Sequence, residues 1–486
     1  MKKYFIATLL MSYALVSNAQ LAEDALRYSQ SFYQGTARSM GAGGAFGAIG
    51  ADFSAASTNP AGLGLFRTYD MTFTPEVFSR KAASTYNGNS REDFSTVFDL
   101  SNLGYVMTKP VKNGMGWKYT QFAIGMNRLN NYNSTVNIQG TNHENTKLDV
   151  YMNQADYVPY YNLYNVDPFY LDPAWAVYLL DTVPGYDDFY DVPVPNGDGA
   201  YQRQMTTSKG STNEWLMSFA ANYNDKFFLG ATIGLPYIRF NRKTYYSESF
   251  TSDNVPDFNS WSVTENLVTT GWGINLKLGA IYKPTDWVRM GLAFHTPSYY
   301  WNMTDDWNTE TTATYGGVTI VPESPAPKGN YSYRFYTPLR TIGSVAFFIN
   351  QIGFVSAEYE YADYSSARFG FTDDDTNPVN DEIRDAYRAT NNLKFGTEWR
   401  LGMVSMRGGY GFSSSPYADN LNDGKRTSFS GGIGYKKDVF AMDFAYVYSV
   451  MSEDYYLYYY NADIYTNAVK NKYTTQQFAL TFRFNF

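Results

Sequence analysis

Phe478–Ala479–Leu480–Thr481–Phe482–Arg483–Phe484–Asn485–Phe486 closes the chain, and an apolar side chain stands at every even position. An extended strand turns successive side chains to opposite faces, so this segment has one greasy face and one carrying Thr481, Arg483 and Asn485. The same alternation recurs upstream. Ile274, Leu276, Leu278, Ala280 and Tyr282 oppose Asn275 and Lys277. Val288, Met290, Leu292 and Phe294 alternate with Arg289, Gly291, Ala293 and His295. Leu393, Phe395 and Trp399 alternate with Lys394, Glu398 and Arg400, and Phe440, Met442, Phe444, Tyr446 and Tyr448 with Ala441, Asp443, Ala445 and Ser449. Ionised groups on one face require water, and large apolar groups on the other require lipid or a packed core.

Connection lengths choose between lipid and core. Strands are read at 68–80, 93–108, 116–138, 211–223, 226–246, 260–283, 286–303, 329–349, 351–371, 391–401, 403–413, 426–436, 439–453 and 473–486, about fourteen in all. Tight turns at Asn224–Asp225, Lys283–Pro284–Thr285–Asp286, Asn350–Gln351, Leu401–Gly402 and Lys436–Lys437–Asp438 alternate with long loops. The loops fill about 139–210, 247–259, 304–328, 372–390, 414–425 and 454–472. A meander with short turns at one end and long loops at the other is the pattern of an outer-membrane barrel, short ends periplasmic. The expected fold is therefore all-β: a membrane-spanning antiparallel β-barrel of about 14 strands over 68–486, with a large extracellular loop at about 139–210. Hydrocarbon offers no hydrogen-bond partners, so the sheet has to close. A bore of that size is too wide for wall side chains alone to fill.

The remaining numbers agree. Lys2 and Lys3 precede a short apolar run to Val16, and Ser17 and Ala19 suit signal-peptidase cleavage, giving a leader over 1–19 and a mature start at Gln20. Beyond it no run of ~18 apolar residues is found. Tyr 46, Phe 34 and Trp 9 with no Cys suit a barrel, whose aromatic girdles consume rings and whose closed ladder needs no cross-link. Removing the two leader lysines leaves 36 basic against 46 acidic residues, a net charge of −10. With no basic tract, nucleic acid is excluded as a partner class. The loop carboxylates (Asp181, Asp187, Asp188, Asp191; Asp373, Asp374, Asp375) read as solvated charge, without the spacing of a calcium loop.

Residues 20–67 do not alternate. They carry Arg38–Ser39–Met40–Gly41–Ala42–Gly43–Gly44–Ala45–Phe46–Gly47–Ala48, then Asp52 and Thr58–Asn59–Pro60–Ala61–Gly62–Leu63. The glycines lack the ending of a phosphate loop. Small residues allow close backbone approach and Asn-Pro fixes a turn. Ala45, Phe46, Ile49, Phe53, Leu63, Leu65 and Phe66 are too apolar for a solvated tether, so a compact hatch inside the lumen is expected. Gly35–Thr36–Ala37–Arg38, the glycine/alanine stretch, Asn59–Pro60–Ala61, a first strand from Thr68 and a terminal phenylalanine together resemble the FadL/TodX family of outer-membrane transporters for hydrophobic compounds. The resemblance spans essentially the whole chain. It implies a lumenal hatch with Asn59, Pro60 and Ala61 as its motif, near a kinked third strand and a lateral opening. Length places that kink at Arg128–Leu129–Asn130–Asn131 within 116–138.

The tyrosine-rich insertion at 139–210 departs from the family and reads either as an external apolar collecting site or as a loop packed over the mouth. Strand parity makes Arg289, His295, Glu358, Glu360, Arg400 and Arg483 lumen candidates. With Phe46 and Phe53 of the hatch, Arg289, His295, Glu358 and Arg400 form the expected ligand path. His143 sits in His-Glu-Asn-Thr-Lys, which fails the metalloprotease pattern, and no nucleophile motif accompanies either histidine, so no catalytic residue, metal or cofactor is expected. The function implied is passive uptake of fatty acids, aromatic hydrocarbons or, as some relatives are labelled, haem. The alternatives are a barrel that shuttles protein clients, as the PorV type does, and a general porin. The partners implied are outer-membrane lipid, a small hydrophobic ligand and the barrel-assembly machinery, which would read the strand ending at Phe486. The barrel is expected as a monomer in the outer membrane of a Gram-negative bacterium.

Overall fold

The computed structural model describes residues 22–486 apart from 33, 113–114, 195–198, 251–256, 351, 371–377, 419–421 and 461–463. The expected leader, its cut before Gln20, Gln351 of one turn and Asp373–Asp375 lie outside the described residues.

Fourteen antiparallel spans close into a barrel. They are β1 (Asp70–Tyr86), β2 (Asn89–Pro110), β3 (Trp117–Asn131, resumed at Ser134–Asn142), β4 (Ala200–Tyr223), β5 (Phe227–Ser249), β6 (Phe258–Thr285) and β7 (Val288–His295, resumed at Tyr299–Tyr315). There follow β8 (Gly329–Tyr336, resumed at Arg340–Ile349), β9 (Gly353–Asp363), β10 (Ala389–Leu401), β11 (Val404–Ser413), β12 (Arg426–Lys437), β13 (Phe440–Tyr455) and β14 (Val469–Asn485). Each span pairs with its sequence neighbour, and β1 pairs with β14 from Asp70↔Asn485 to Thr85↔Lys470, which closes the ring. Asn224 and Asp225 both take positive φ (53° and 55°), the mirror-image turn whose twist matches that of two flanking strands.

The alternation read from the sequence is the division between outside and inside. Ile274, Leu278 and Leu292 are 43 %, 46 % and 59 % exposed on the outer surface, whereas Lys277 on the inner face is 4 % exposed. Aromatic pairs ring the turn end, among them Trp117–Tyr223 at 5.2 Å and Phe227–Tyr282 at 4.6 Å. A second set, Tyr237–Trp272 at 4.6 Å and Tyr299–Tyr336 at 4.9 Å, lies higher. Trp272 and Tyr282 on β6 are ten residues apart. At a rise of ~3.4 Å per residue and a tilt of ~45°, that spacing is about 24 Å along the barrel axis, the height of a transmembrane apolar band. No helix among the described residues is long and apolar enough to cross a membrane.

Above the upper belt the strands run on, and here several expected boundaries are corrected. The loop expected at 304–328 is strand up to Tyr315. The insertion expected at 139–210 is strand to Asn142 and again from Ala200, so the loop proper is 143–199. The expected loops at 247–259 and 454–472 likewise lose residues to strand at both ends. Beyond the lipid both faces of a strand meet water or polar neighbours, so the greasy alternation that marks a strand within the bilayer fades.

Candidate functional site

The described residues of 22–66 form no strand and are almost wholly buried. They build α1 (Ala22–Ser29), α2 (Ala37–Gly41), α3 (Ala55–Thr58) and a tight turn of helix over Pro60–Leu65. Polar residues read from the sequence tie the segment to itself. Thr36 Oγ1 donates to Asp52 Oδ1 at 2.7 Å and accepts from Ser39 N, while Ser54 Oγ accepts from Thr36 N at 2.9 Å. The segment meets inward-facing groups on spans all round the wall. Ala37 N donates to Thr481 Oγ1 on β14 at 2.7 Å, Gly43 N to Ser430 Oγ on β12 at 3.0 Å, and Gly47 N to Glu358 Oε2 on β9 at 2.9 Å. Gln121 Nε2 on β3 donates to Phe66 O at 3.0 Å. Wall glycines make this approach possible. A side chain at Gly230, Gly279, Gly396 or Gly409 would overlap Pro60, Asn59, Ala42 or Gly43 respectively.

Asn59, Pro60 and Ala61 are buried. Asn59 is the N-cap of the Pro60–Leu65 turn: its side-chain oxygen accepts from Ala61 N at 3.2 Å and Pro60 occupies the first helical position, where a missing N–H costs nothing. The other end of the same amide donates to Gly47 O at 2.7 Å and to Ala280 O of β6 at 3.3 Å. One side chain thus joins the motif, the glycine stretch and the wall.

Five of the six residues of the expected ligand path lie along this contact, and Arg400 reaches it only through Glu398. Phe46 is edge-on to Phe354 at 5.9 Å, and Phe53 fills the space left by Gly104 and Gly125. Arg289 donates to Ile49 O at 2.8 Å and lies over Phe348. His295 Nε2 bonds Thr58 O at 2.8 Å, so that nitrogen is taken. Glu358 also accepts from Lys394 at 2.9 Å, and Arg400 donates to Glu398 at 2.9 Å from a half-exposed position at the turn end. Glu398 is the centre of a buried charge cluster that sequence reading did not assemble. It accepts from Arg38 Nε at 2.9 Å and from Arg407 Nε at 2.7 Å, and Arg407 in turn pairs with Asp443 at 2.7 Å. The other two lumen candidates also pair within the wall: Glu360 with Arg340, and Arg483 with Asp70 Oδ2 at 2.5 Å.

A cavity of about 130 Å³ lies elsewhere, between the segment and β9–β14. Phe32, Met40, Val447 and Met451 give it apolar walls, and Lys394, Arg426, Ser428 and Gln477 give it polar ones. None of the six ligand-path residues lines it, whereas Glu360, a lumen candidate by strand parity, does. Lys394 stood on the polar side of an alternating strand; Arg426 follows an irregular loop, and no local pattern marks it.

The wall itself is interrupted once in a way that concerns this site. β2 pairs with β3 only from Asn102↔Asn127 to Pro110↔Tyr119. Among the described residues, 89–101 of β2 pair with β1 alone, and the resumed part of β3 pairs with β4 alone. The expected kink is present: the β3–β4 register shifts between Arg128 and Asn130, and the strand breaks at Tyr132–Asn133. Asn131 Oδ1 accepts from Asn133 N at 3.0 Å, a side chain replacing a ladder partner. Opposite, a bulge leaves Ser101 out of the β1–β2 register, and its hydroxyl donates to Gly35 O and accepts from Gly35 N, both at 3.0 Å. Phe94 and Phe98 stand exposed on the free stretch of β2.

Over the loop end, the described residues from 143 to 194 fold into a cap, the second of the two readings of the insertion. Thr146 and Asp149 form a capping box on α4 (Lys147–Ala155). Leu148, Leu163, Ala174 and Leu180 pack against Tyr86, Tyr246 and Trp261 of the extended strands. Glu248 is the anchor, accepting from Tyr246 Oη at 2.6 Å, Trp261 Nε1 at 2.8 Å, Gln202 Nε2 at 2.9 Å and Lys147 N at 2.9 Å. Glu248→Ala strands these donors, at a cost on the order of 3 kcal/mol. In limited chymotrypsin digestion of the detergent-solubilised protein, the variant is expected to be cut within the cap at least about tenfold faster while the barrel persists.

No family model matches the sequence, and no curated protein matches it. Solved structures share its fold. A Pseudomonas aeruginosa FadL homologue superposes with a TM-score of 0.56 at 14% identity, over 94% of this chain and 100% of that one. The Pseudomonas putida toluene transporter TodX gives 0.53 at 13%, over 94% and 100%. The Ralstonia pickettii toluene transporter TbuX gives 0.51 at 17%, over 94% and 99%. The chain thus shares the barrel fold of these proteins over 94% of its length.

Proposed function

We propose that this chain is a FadL/TodX-type transporter of a Gram-negative outer membrane, taking up small hydrophobic molecules passively, with 22–66 as its plug. The observation that carries the reading is the unpaired stretch between β2 and β3 beside an otherwise filled bore. A solute that cannot go straight through would leave sideways, where the β2–β3 pairing ends at Asn102 and Asn127. The cavity supports a small cargo: an engineered apolar cavity of about 150 Å³ holds benzene. Two of the structures that share the fold are named as toluene transporters. Burial of apolar ligand surface, about 25 cal/mol per Å², supplies the driving force. Larger ligands such as long-chain fatty acids need the plug to shift, since the cavity beside it is only about 130 Å³.

The test uses the absence of cysteine. Ala37→Cys with Thr481→Cys places two thiols where Ala37 N now bonds the Thr481 hydroxyl. Uptake of labelled toluene and of labelled long-chain fatty acid is measured with and without the gene, then for the oxidised and reduced double variant. Expression is expected to raise uptake of at least one of the two. Oxidation is expected to abolish long-chain uptake, and reductant to restore it. Equal uptake of both solutes with and without the gene would end the transport reading.

A further inference from the structure

The outer face of the cap carries an aromatic platform apart from the plug and its cavity. Tyr157, Tyr161 and Tyr186 are 76 %, 69 % and 59 % exposed. Their rings are ordered by contact: Tyr157 is edge-on to Phe189 at 4.9 Å and Tyr186 to the same ring at 5.3 Å. In a second group Tyr160 is edge-on to Tyr161 at 5.5 Å and stacked on Trp175 at 5.3 Å. Backbone bonds hold the groups side by side, from Tyr157 N to Asp188 O at 2.7 Å and from Tyr160 N to Asp187 O at 2.9 Å. Contiguous exposed rings mark a binding surface.

The surroundings say what binds. From residue 148 to 202 there are nine aspartates and no lysine, arginine or glutamate. Among the described residues none of these aspartates forms an ion pair. The Tyr190 hydroxyl beneath the platform is pushed up to about 12, by burial first and then by the negative charges of Asp188, Asp187 and Asp156. A neutral hydrocarbon gains nothing from this field. An ammonium or guanidinium group gains twice, over the ring faces and from the carboxylates. Two ring groups beside Asp187 and Asp188 make two seats, more than one small cation fills.

From these we infer that the cap's outer face docks a basic segment of an extracellular polypeptide, seating successive lysine or arginine side chains on the two ring groups. The inference is independent of the transport reading.

The full-length protein in dodecyl maltoside is titrated calorimetrically with a ten-residue Lys-Gly repeat peptide, its Glu-Gly counterpart and tetramethylammonium. Saturable binding of the lysine peptide alone is expected. Asp187→Asn with Asp188→Asn, and separately Tyr157→Ser with Tyr161→Ser, should each weaken it about tenfold or more. Asp286→Asn with Asp438→Asn removes equal charge at the opposite end and should leave affinity unchanged. All variants are checked for the folded band on an unheated gel. The proposal is overturned by no heat up to millimolar peptide, by equal loss in the opposite-end variant, by unchanged binding in the tyrosine variant, or by tetramethylammonium saturating the site at the peptide's own concentration.

Discussion

Gly279→Leu should turn the protein into an ion-conducting pore. Gly279 lies on the inner face of β6, paired with Gly230 and Ala293, and a side chain there meets the Asn59 side chain, with Pro60 Cδ and Ala61 N each only 3.0 Å from its first carbon. The wall backbone accepts leucine without strain, so the clash falls on the plug motif. Overpacking costs about 1–3 kcal/mol, which raises the displaced population roughly 5- to 140-fold. Displacing Asn59 also loses its bonds to Gly47 and Ala280, and moving Thr58 loses its bond to His295. Planar-bilayer recordings should show frequent openings in the variant and rare ones in the native protein. Leucine at Gly343, where an added carbon meets nothing within 4 Å, is the matched control and should stay closed.

Glu398→Ala should loosen the same plug through charge. Arg38 and Glu398 side chains are 10 % and 1 % exposed, and removing the carboxylate leaves the Arg38 guanidinium buried with Ala51 O as its remaining acceptor among the described residues, while Arg407 keeps Asp443. Breaking one side of a buried pair costs about 3–5 kcal/mol, because the stranded charge stays desolvated. The expected result is a leaky channel whose plug is digested by protease added from the turn end. Glu398→Gln keeps acceptors without the charge and should fall between. Asp286→Asn removes an exposed pair with Lys283 at a turn and should change nothing measurable.

How far the sequence was legible follows from where lipid and packing impose a pattern. Within the bilayer each strand must be greasy outside and polar inside, so the spans, their number and the inward side of Lys277, Glu358 and Arg400 could all be read. Residues 304–315 could not, because Asp305, Trp307, Thr309 and Glu310 answer to partners above the membrane rather than to lipid. The kink was legible within a few residues, since a run of asparagines offers the backbone bonds that compete with a ladder. The joining of Arg38 to Glu398 crosses 360 residues of sequence and carries no local signal. The cap helices are short and owe their form to the apolar contacts beneath them, so no periodicity announced them.

The plug also constrains how the barrel is made. Tyr28 lies among Tyr132, Phe240 and Phe335 near the loop end, and Arg67 reaches Asp225 at the turn end, so these residues run lengthwise down the bore. The seam that shuts the cylinder joins Asp70 to Asn485, 415 residues apart along the chain. Such a long-range union comes at a high entropic cost and is slow to form. Residues 22–66 must already be in position when it does, and the cylinder is wound around a mandrel of its own sequence.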